Sequence, residues 1–156
     1  MLGGVARHRP RKVLPMQHSL RDVTALVARL VVGATFLAHA YQKFVLYGID
    51  NVVASFGKMG LPPVAAWFTA LVELLGGLGL ILGVLMPVAG VLLAAVMVGA
   101  IFAAHLSGGF FSADGGFEYV LVLAAASLAL GFSGPRFTLA ALFNGKSATR
   151  SEKAAA

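Results

Sequence analysis

The chain has 156 residues, of which 59% are hydrophobic and 12% charged, and its mean hydropathy of +0.89 excludes an ordinary soluble domain. Its formal net charge of +6 does not indicate nucleic-acid binding, because most Lys and Arg residues lie in two terminal tails. The absence of cysteine excludes disulfides, CxxC redox centres, thiolate metal sites and Cys-ligated iron–sulfur clusters. The composition therefore predicts an integral membrane protein.

The apolar stretches predict one all-α domain, a bundle of four transmembrane helices within residues 23–135. In chain order, the predicted spans cover about residues 23–47, 64–85, 88–106 and 117–134. The flanking segments 1–22 and 136–156 are predicted to be basic tails, the first mobile and the second containing a short interfacial amphipathic turn over 137–143.

Turn-forming residues separate the predicted spans. The segment from Gly48 to Pro63 is predicted to be a loop, and Met86-Pro87 a tight reversal. Residues 107–116 are rich in glycine and predict a flexible loop. Lys and Arg cluster before the first span and after the last, which predicts a multi-pass protein with both termini in the cytoplasm.

The first span also loosely resembles a signal peptide. Arg29 precedes the apolar run 30–38, and Ala38-His39-Ala40 resembles a cleavage site. We expect the segment to be retained, because the polar residues around that site are better explained as part of the mature protein.

Small residues form two stripes that predict close helix packing in lipid. Gly76, Gly79 and Gly83 lie on the second span. Ala95, Gly99 and Ala103 follow one another at four-residue spacing on the third. We expect both stripes to let neighbouring backbones touch.

Ionisable side chains inside or at the ends of the spans are the candidates for chemistry, because a charge at the bilayer centre costs roughly 2.5–3.5 kcal/mol. At 100° per residue, Arg29, His39 and Lys43 share one face of the first helix, which predicts that this face points into the bundle. Glu73 lies roughly 15 Å inside the second span and is expected to meet a cation of the first helix. His105 ends the third span and Glu118 begins the fourth, so both return to the outer half.

Three interpretations of these residues stay open. Paired charges can merely fix helix register, and Arg29 can be a structural counter-ion. Alternatively, they form a pocket for a quinone, in which His105, Glu118, Glu73 and Lys43 are the candidate catalytic residues. The candidate cofactor-binding residues are His39, His105, Arg29, Phe111 and Tyr119, the two aromatic rings being placed to stack on the ligand. A third option is a haem b or a metal ion held by His39 and His105 on facing helices.

Six motifs occur in one order along the chain: Arg29-x3-Gly33, Lys43, Gly60-Leu61-Pro62, Glu73-Leu74-Leu75-Gly76-Gly77, His105-x3-Gly109-Phe110-Phe111 and Gly115-Gly116-Phe117-Glu118-Tyr119. In this order the chain resembles the DoxX family of small bacterial membrane proteins over about residues 24–143. The resemblance implies a four-helix inner-membrane protein. It also implies that the family's motif positions correspond to Arg29, Lys43, Glu73, His105 and Glu118. Many relatives carry Gly just before the Gln/Lys position, where this chain has Ala38-His39-Ala40-Tyr41, and we expect His39 to be a local feature.

The resemblance further implies association with quinone-linked oxidation, including thiosulfate:quinone oxidoreduction, or with detoxification complexes containing superoxide dismutase and a sulfurtransferase. The first hypothesis is therefore a membrane subunit that binds a quinone and works with a soluble redox partner, since the chain carries no redox centre of its own. The second is a non-enzymatic scaffold or assembly factor that recruits redox proteins. A small-solute or proton transporter is a weaker third, which would require a homo-oligomer to widen the path.

Overall fold

The computed structural model describes residues 15–134, with side chains from residue 20 onward, and this part of the chain is helical without strands. Five α-helices follow one another: α1 (Pro15–Tyr41), α2 (Ile49–Lys58), α3 (Pro63–Leu82), α4 (Met86–Ala100) and α5 (Glu118–Gly131). α1 continues into a π-helical segment, Gln42–Leu46, and α4 into another, Ile101–His105. Short 3-10 turns at Leu106–Gly108 and Ser112–Asp114 follow. The all-α prediction is confirmed for these residues.

Length and composition make three helical segments suitable for crossing a membrane: Leu20–Leu46, Pro63–Leu82 and Met86–Gly108. The apolar helix Glu118–Gly131 is shorter. Many large apolar side chains face outward, including Val31, Leu75 and Phe102, each more than 60% exposed. An apolar exterior of this kind needs lipid around it. The individual span limits and the orientation of the termini stay predictions.

The bundle is held together by two close helix pairs, α1 with α3 and α4 with α5. A Cβ atom added to Gly33 of α1 would lie 2.8 Å from the carbonyl oxygen of Gly77 in α3. A Cβ added to Gly90 of α4 would lie 2.5 Å from the carbonyl oxygen of Ser127 in α5. Glycine has no side chain and lets these backbones approach closely, as is common between membrane helices. Phe36, Leu80 and Leu93 fill the core between the pairs without exposure.

Two segments differ from their predicted structure. The N-terminal tail is predicted to extend through residue 22, but α1 already begins at Pro15. Proline is favoured in the first turn of a helix. The segment 48–63, predicted to be a loop, contains α2, which buries Val52 and leaves Asp50 and Lys58 exposed. The interfacial turn predicted over 137–143 lies outside the described residues.

The two small-residue stripes behave differently. On α3, a Cβ added to Gly76 would lie 2.7 Å from Cγ of Leu93, so a side chain of α4 rather than its backbone packs closely there. On α4 the prediction is wrong within the described residues: an added Cβ at Gly99 would meet nothing within 4 Å, and Ala95 and Ala103 are exposed. The α4 stripe leaves open space instead of admitting a neighbouring backbone.

Candidate functional site

The described part of the bundle contains an ion pair between Lys43 and Glu73, with the Lys43 ammonium donating to Oε1 of Glu73. The Glu73 side chain is only 3% exposed and that of Lys43 is 19% exposed. The expectation that Glu73 meets a cation of the first helix is thereby confirmed. The second carboxylate oxygen, Oε2, is buried and has no hydrogen-bond partner among the described residues.

Both Lys43 and His105 lie in π-helical segments that extend longer α-helices. A π-helical turn contains an extra residue, and such turns are frequent at functional sites. At Gln42–Leu46 and Ile101–His105 the wider turn changes the direction in which side chains leave the helix. The local backbone thus sets the positions of two of the predicted site residues.

The glycine-rich connection between α4 and α5 positions His105. Its ring Nδ1 lies 3.1 Å from the carbonyl oxygen of Gly115. The loop is closed by backbone hydrogen bonds, including Phe117 N–H to Gly109 O and Glu118 N–H to Phe110 O. Gly116 is required for this closure, because an added Cβ would lie 2.4 Å from the Gly109 oxygen. The glycines here allow close backbone contact rather than only flexibility.

A cavity of about 420 Å³ joins these groups. Its lining comprises Lys43, Glu73 and His105 with Phe56, Met59, Leu61, Ala65, Phe68, Thr69, Ala95, Val96, Met97, Gly99, Ala100, Ala103 and Ala104. The volume lies in the range of small-molecule sites, and a mostly apolar wall with a few polar groups is typical of them. The α4 stripe of Ala95, Gly99 and Ala103 forms part of this wall, so its small side chains create the space.

Lys43 also borders a second, more polar crevice of about 640 Å³. It lies against the residues of α2 and the preceding turn, among them Gln42, Tyr47, Asn51 and Ser55. Phe56 lines both spaces. Lys43 therefore stands between the polar crevice and the apolar cavity.

The other site residues, which are predicted to lie in the outer half of the bundle, are not part of the cavity lining. His39 packs against Tyr119, with ring centroids 6.5 Å apart. Glu118 accepts a hydrogen bond from the backbone N–H of Ser112 at 3.1 Å. Phe111 is 63% exposed and contacts Phe110 edge to face. Their predicted catalytic and ligand-binding roles stay predictions.

Arg29 lies elsewhere in the bundle. It is 14 residues before Lys43, about 21 Å along a regular helix, and only 2% exposed. Its Nη1 lies 3.4 Å from the sulfur of Met86 at the start of α4. The structure thus separates Arg29 from Lys43, Glu73 and His105, which it brings together.

The two histidines predicted as haem or metal ligands have different surroundings, since His105 lines the cavity and His39 does not. Across residues 15–134, no group of three or more His, Asp or Glu side chains is placed to hold a metal ion. Haem or metal binding by the two histidines stays a prediction.

Sequence reasoning missed Thr69 and Phe56 as lining residues. Thr69 lies one helical turn before Glu73, so a search for polar neighbours at four-residue spacing could have found it. Phe56 could not be found in this way, because it belongs to the helix that was predicted to be a loop.

The apolar exterior, the buried ion pair and the cavity define a helical membrane protein with an internal ligand-sized space. The sequence model of the DoxX family matches residues 24–106, and a protein of Bacillus subtilis (strain 168) named "Putative oxidoreductase CatD" is 34% identical over 116 residues, which are 74% of this chain and 83% of that protein. The chain belongs to the DoxX family, as the order of its motifs predicted. No solved structure shows a significant match to it.

Proposed function

We propose that this protein is an inner-membrane subunit of a quinone-linked oxidoreductase or of an oxidative-stress complex, and that the quinone head binds in the 420 Å³ cavity. Membership of the DoxX family and a relative named as an oxidoreductase support a redox-associated role in the membrane. The quinone assignment rests on the cavity.

The observation that carries the proposal is that Glu73, a residue of the mostly apolar cavity wall, has a buried carboxylate oxygen, Oε2, without a partner among the described residues. A buried acceptor without a partner costs free energy, about 1–3 kcal/mol, more for a charged group, and a polar ligand would relieve that cost. Lys43, Thr69 and His105 add further polar groups to the same wall. A flat, mainly apolar ring with polar substituents fits this combination.

The residues present fit a quinone in two respects. Lys43 would donate to an oxygen atom of the head, whereas Glu73 and His105 would bind its hydroxyl groups in the reduced state. Phe56, Phe68 and Met97 would cover its apolar ring. The bound quinone would supply the electron-accepting chemistry that no side chain of this cysteine-free chain provides. The side chains would orient the head and exchange protons with it.

Access from the membrane follows from the exposed rim of the cavity. Phe68, Ala95, Gly99 and Ala103 belong to its lining and are all exposed. In a bilayer these residues would contact lipid, since they lie on helices that are long and apolar enough to span it. A ligand with a lipid tail can enter sideways by this route.

The proposal includes four spans with both termini in the cytoplasm. The basic tails before α1 and after α5 support this orientation, and an even number of spans places them on the same side. α5 would be the fourth span, although its 14 helical residues extend only about 21 Å. A soluble protein on either side would carry the second redox centre.

The test uses the purified protein in lipid nanodiscs, with mass spectrometry of co-purifying lipids and a melting curve after addition of ubiquinone or menaquinone in the oxidised or the reduced form. We expect one of the two forms to co-purify or to raise the melting temperature. Gly99→Leu should abolish either effect, because its side chain would enter the cavity. Val98→Leu, at an exposed neighbour outside the lining, is the matched control.

If neither a quinone nor a quinol co-purifies, and neither raises the melting temperature of the wild type when added, the proposal is wrong. The Lys43–Glu73 pair would then serve helix register alone, and the scaffold hypothesis would be the better account. An effect that survives in Gly99→Leu would place the ligand outside this cavity.

A further inference from the structure

The polar atoms left for a ligand in the cavity wall are mainly hydrogen-bond acceptors. Four of the described lining residues have polar side chains, namely Lys43, Thr69, Glu73 and His105. Thr69 and His105 each direct a side-chain proton to a backbone carbonyl oxygen, and the Glu73 carboxylate carries no proton. Hydrogen bonds within the protein therefore determine which partner the cavity accepts.

His105 offers a ring acceptor. Its Nδ1 faces the carbonyl oxygen of Gly115 at 3.1 Å, and a carbonyl oxygen can only accept. Nδ1 must carry the proton, so in the neutral imidazole Nε2 is left with its lone pair. The nitrogen available to a ligand thus accepts a hydrogen bond.

Thr69 and Glu73 offer oxygen acceptors. The Thr69 hydroxyl donates to the carbonyl oxygen of Ala66 at 3.0 Å, which leaves only its lone pairs for another group. Glu73 uses Oε1 to accept from Lys43, and its Oε2 has no partner among the described residues. A carboxylate paired with an ammonium accepts and does not donate.

Lys43 is the lining side chain that keeps N–H groups for a ligand, and one of its three N–H groups is directed at Glu73. A ligand in the cavity would thus meet three acceptors, on His105, Thr69 and Glu73, and one donor, the Lys43 ammonium. The oxidised head of a quinone presents two carbonyl acceptors, whereas the reduced head presents two O–H donors. A ligand that donates satisfies more of this wall, and each buried acceptor left unsatisfied weakens binding.

We propose that the cavity selects the reduced, O–H-bearing quinol over the quinone. The quinol would donate one hydroxyl to Oε2 of Glu73 and the other to Nε2 of His105 or Oγ1 of Thr69. This inference rests on the proposed function, because it names the redox form that the same cavity holds. It makes the quinol the ligand that the resting site retains.

The experiment measures binding of three matched probes to the full-length protein in nanodiscs by anaerobic calorimetry in mildly alkaline buffer. The probes are a short-tailed ubiquinone, its quinol, and the dimethyl ether of that quinol, which keeps the ring but lacks both donors. We expect the quinol to bind at least about tenfold more tightly than the quinone or the ether, the ratio that one charge-assisted hydrogen bond supports.

Variants assign the preference to named atoms. Glu73→Gln keeps an oxygen for Lys43 but places an N–H₂ donor at the Oε2 position, so the quinol preference should fall about tenfold or invert. Thr69→Val removes an acceptor at nearly constant shape. It should weaken the quinol but not the quinone where Oγ1 of Thr69 is the second acceptor, and an unchanged ratio would assign that hydroxyl to Nε2 of His105. Asp50→Asn changes an exposed carboxylate outside the lining and should leave the ratio unchanged.

The outcomes separate the two proposals. Binding of neither quinone nor quinol overturns the proposed function together with this inference. Quinone binding as tight as or tighter than quinol binding, in the wild type, overturns the inference and leaves the proposed function standing. That comparison needs no variant, so a Glu73→Gln protein that fails to fold does not affect it.

Discussion

At the scale of single residues, the Lys43–Glu73 pair is asymmetric. Glu73 is almost fully buried, whereas Lys43 borders a crevice containing Gln42, Tyr47 and Asn51. Polar neighbours or water could therefore solvate the ammonium if its partner were lost. The carboxylate has no comparable alternative.

Because of this asymmetry, removing the Lys43 charge should destabilise the protein more than removing the Glu73 charge. Lys43→Met should destabilise the protein by about 3–5 kcal/mol, because it leaves a buried charge without its partner. Glu73→Gln should cost less, since the amide oxygen still accepts from Lys43. Thermal unfolding followed by the fluorescence of Trp67, the only tryptophan, would measure both. Lys58→Met at the exposed end of α2 is the control, and an equal or reversed order would contradict the assignment.

The sequence predicted that Glu73 would meet a cation of the first helix, but it could not identify which one. A rotation of 100° per residue places Arg29, His39 and Lys43 on one face. That rule fails across Gln42–Leu46, where the helix is π-helical. Only the folded backbone shows that Lys43, rather than Arg29, reaches the carboxylate.

At the scale of helices, α4 shows two uses of glycine in one element. Gly90 lies against the backbone of α5, and Gly99 faces open space in the cavity wall. The sequence contains the same residue type in both places, so the pattern of small residues alone could not distinguish close packing from a cavity.

Two alanine substitutions in α4 should separate these uses. Gly90→Ala should destabilise the protein by about 1–3 kcal/mol, because its Cβ would overlap the Ser127 carbonyl. Gly99→Ala should be neutral or stabilising by up to about 1 kcal/mol, since alanine favours the helix and nothing obstructs it. Denaturant unfolding in mixed micelles would compare them. Equal losses at both positions would contradict the described packing.

α2 was missed for a physical reason. Gly48, Gly57 and Gly60, with Pro62 and Pro63, make the segment resemble a turn-rich loop. The helix is only ten residues long and is held by packing of Val52 and its neighbours against the bundle. Tertiary contacts rather than intrinsic preference stabilise such a short helix.

At the scale of the whole molecule, composition was sufficient to predict a helical membrane protein, and the motif order was sufficient to predict the family. The cavity was not predictable in detail, because it needs the positions of α2, α3 and α4 relative to one another. The proposed four-span topology depends on charges in tails that lie outside the described residues.

The absence of cysteine gives a clean test of topology. Single substitutions Asn51→Cys and Asp114→Cys should react with a membrane-impermeant maleimide on intact spheroplasts, because α2 and the α4–α5 loop are proposed to lie outside. Val84→Cys, between α3 and α4, should react only after lysis. Equal labelling of Asn51→Cys and Val84→Cys on intact spheroplasts would exclude the proposed arrangement, and the unmodified chain is the background control.

We propose that the cavity beside Lys43, Glu73 and His105 holds the ligand. Photo-crosslinking of the nanodisc-embedded protein with an azido-quinone, followed by peptide mass spectrometry, would locate the ligand. We expect crosslinks to concentrate in residues 56–73 and 95–105 and to be displaced by excess unmodified quinol. Crosslinks confined to other segments, or not displaced by the competitor, would contradict it.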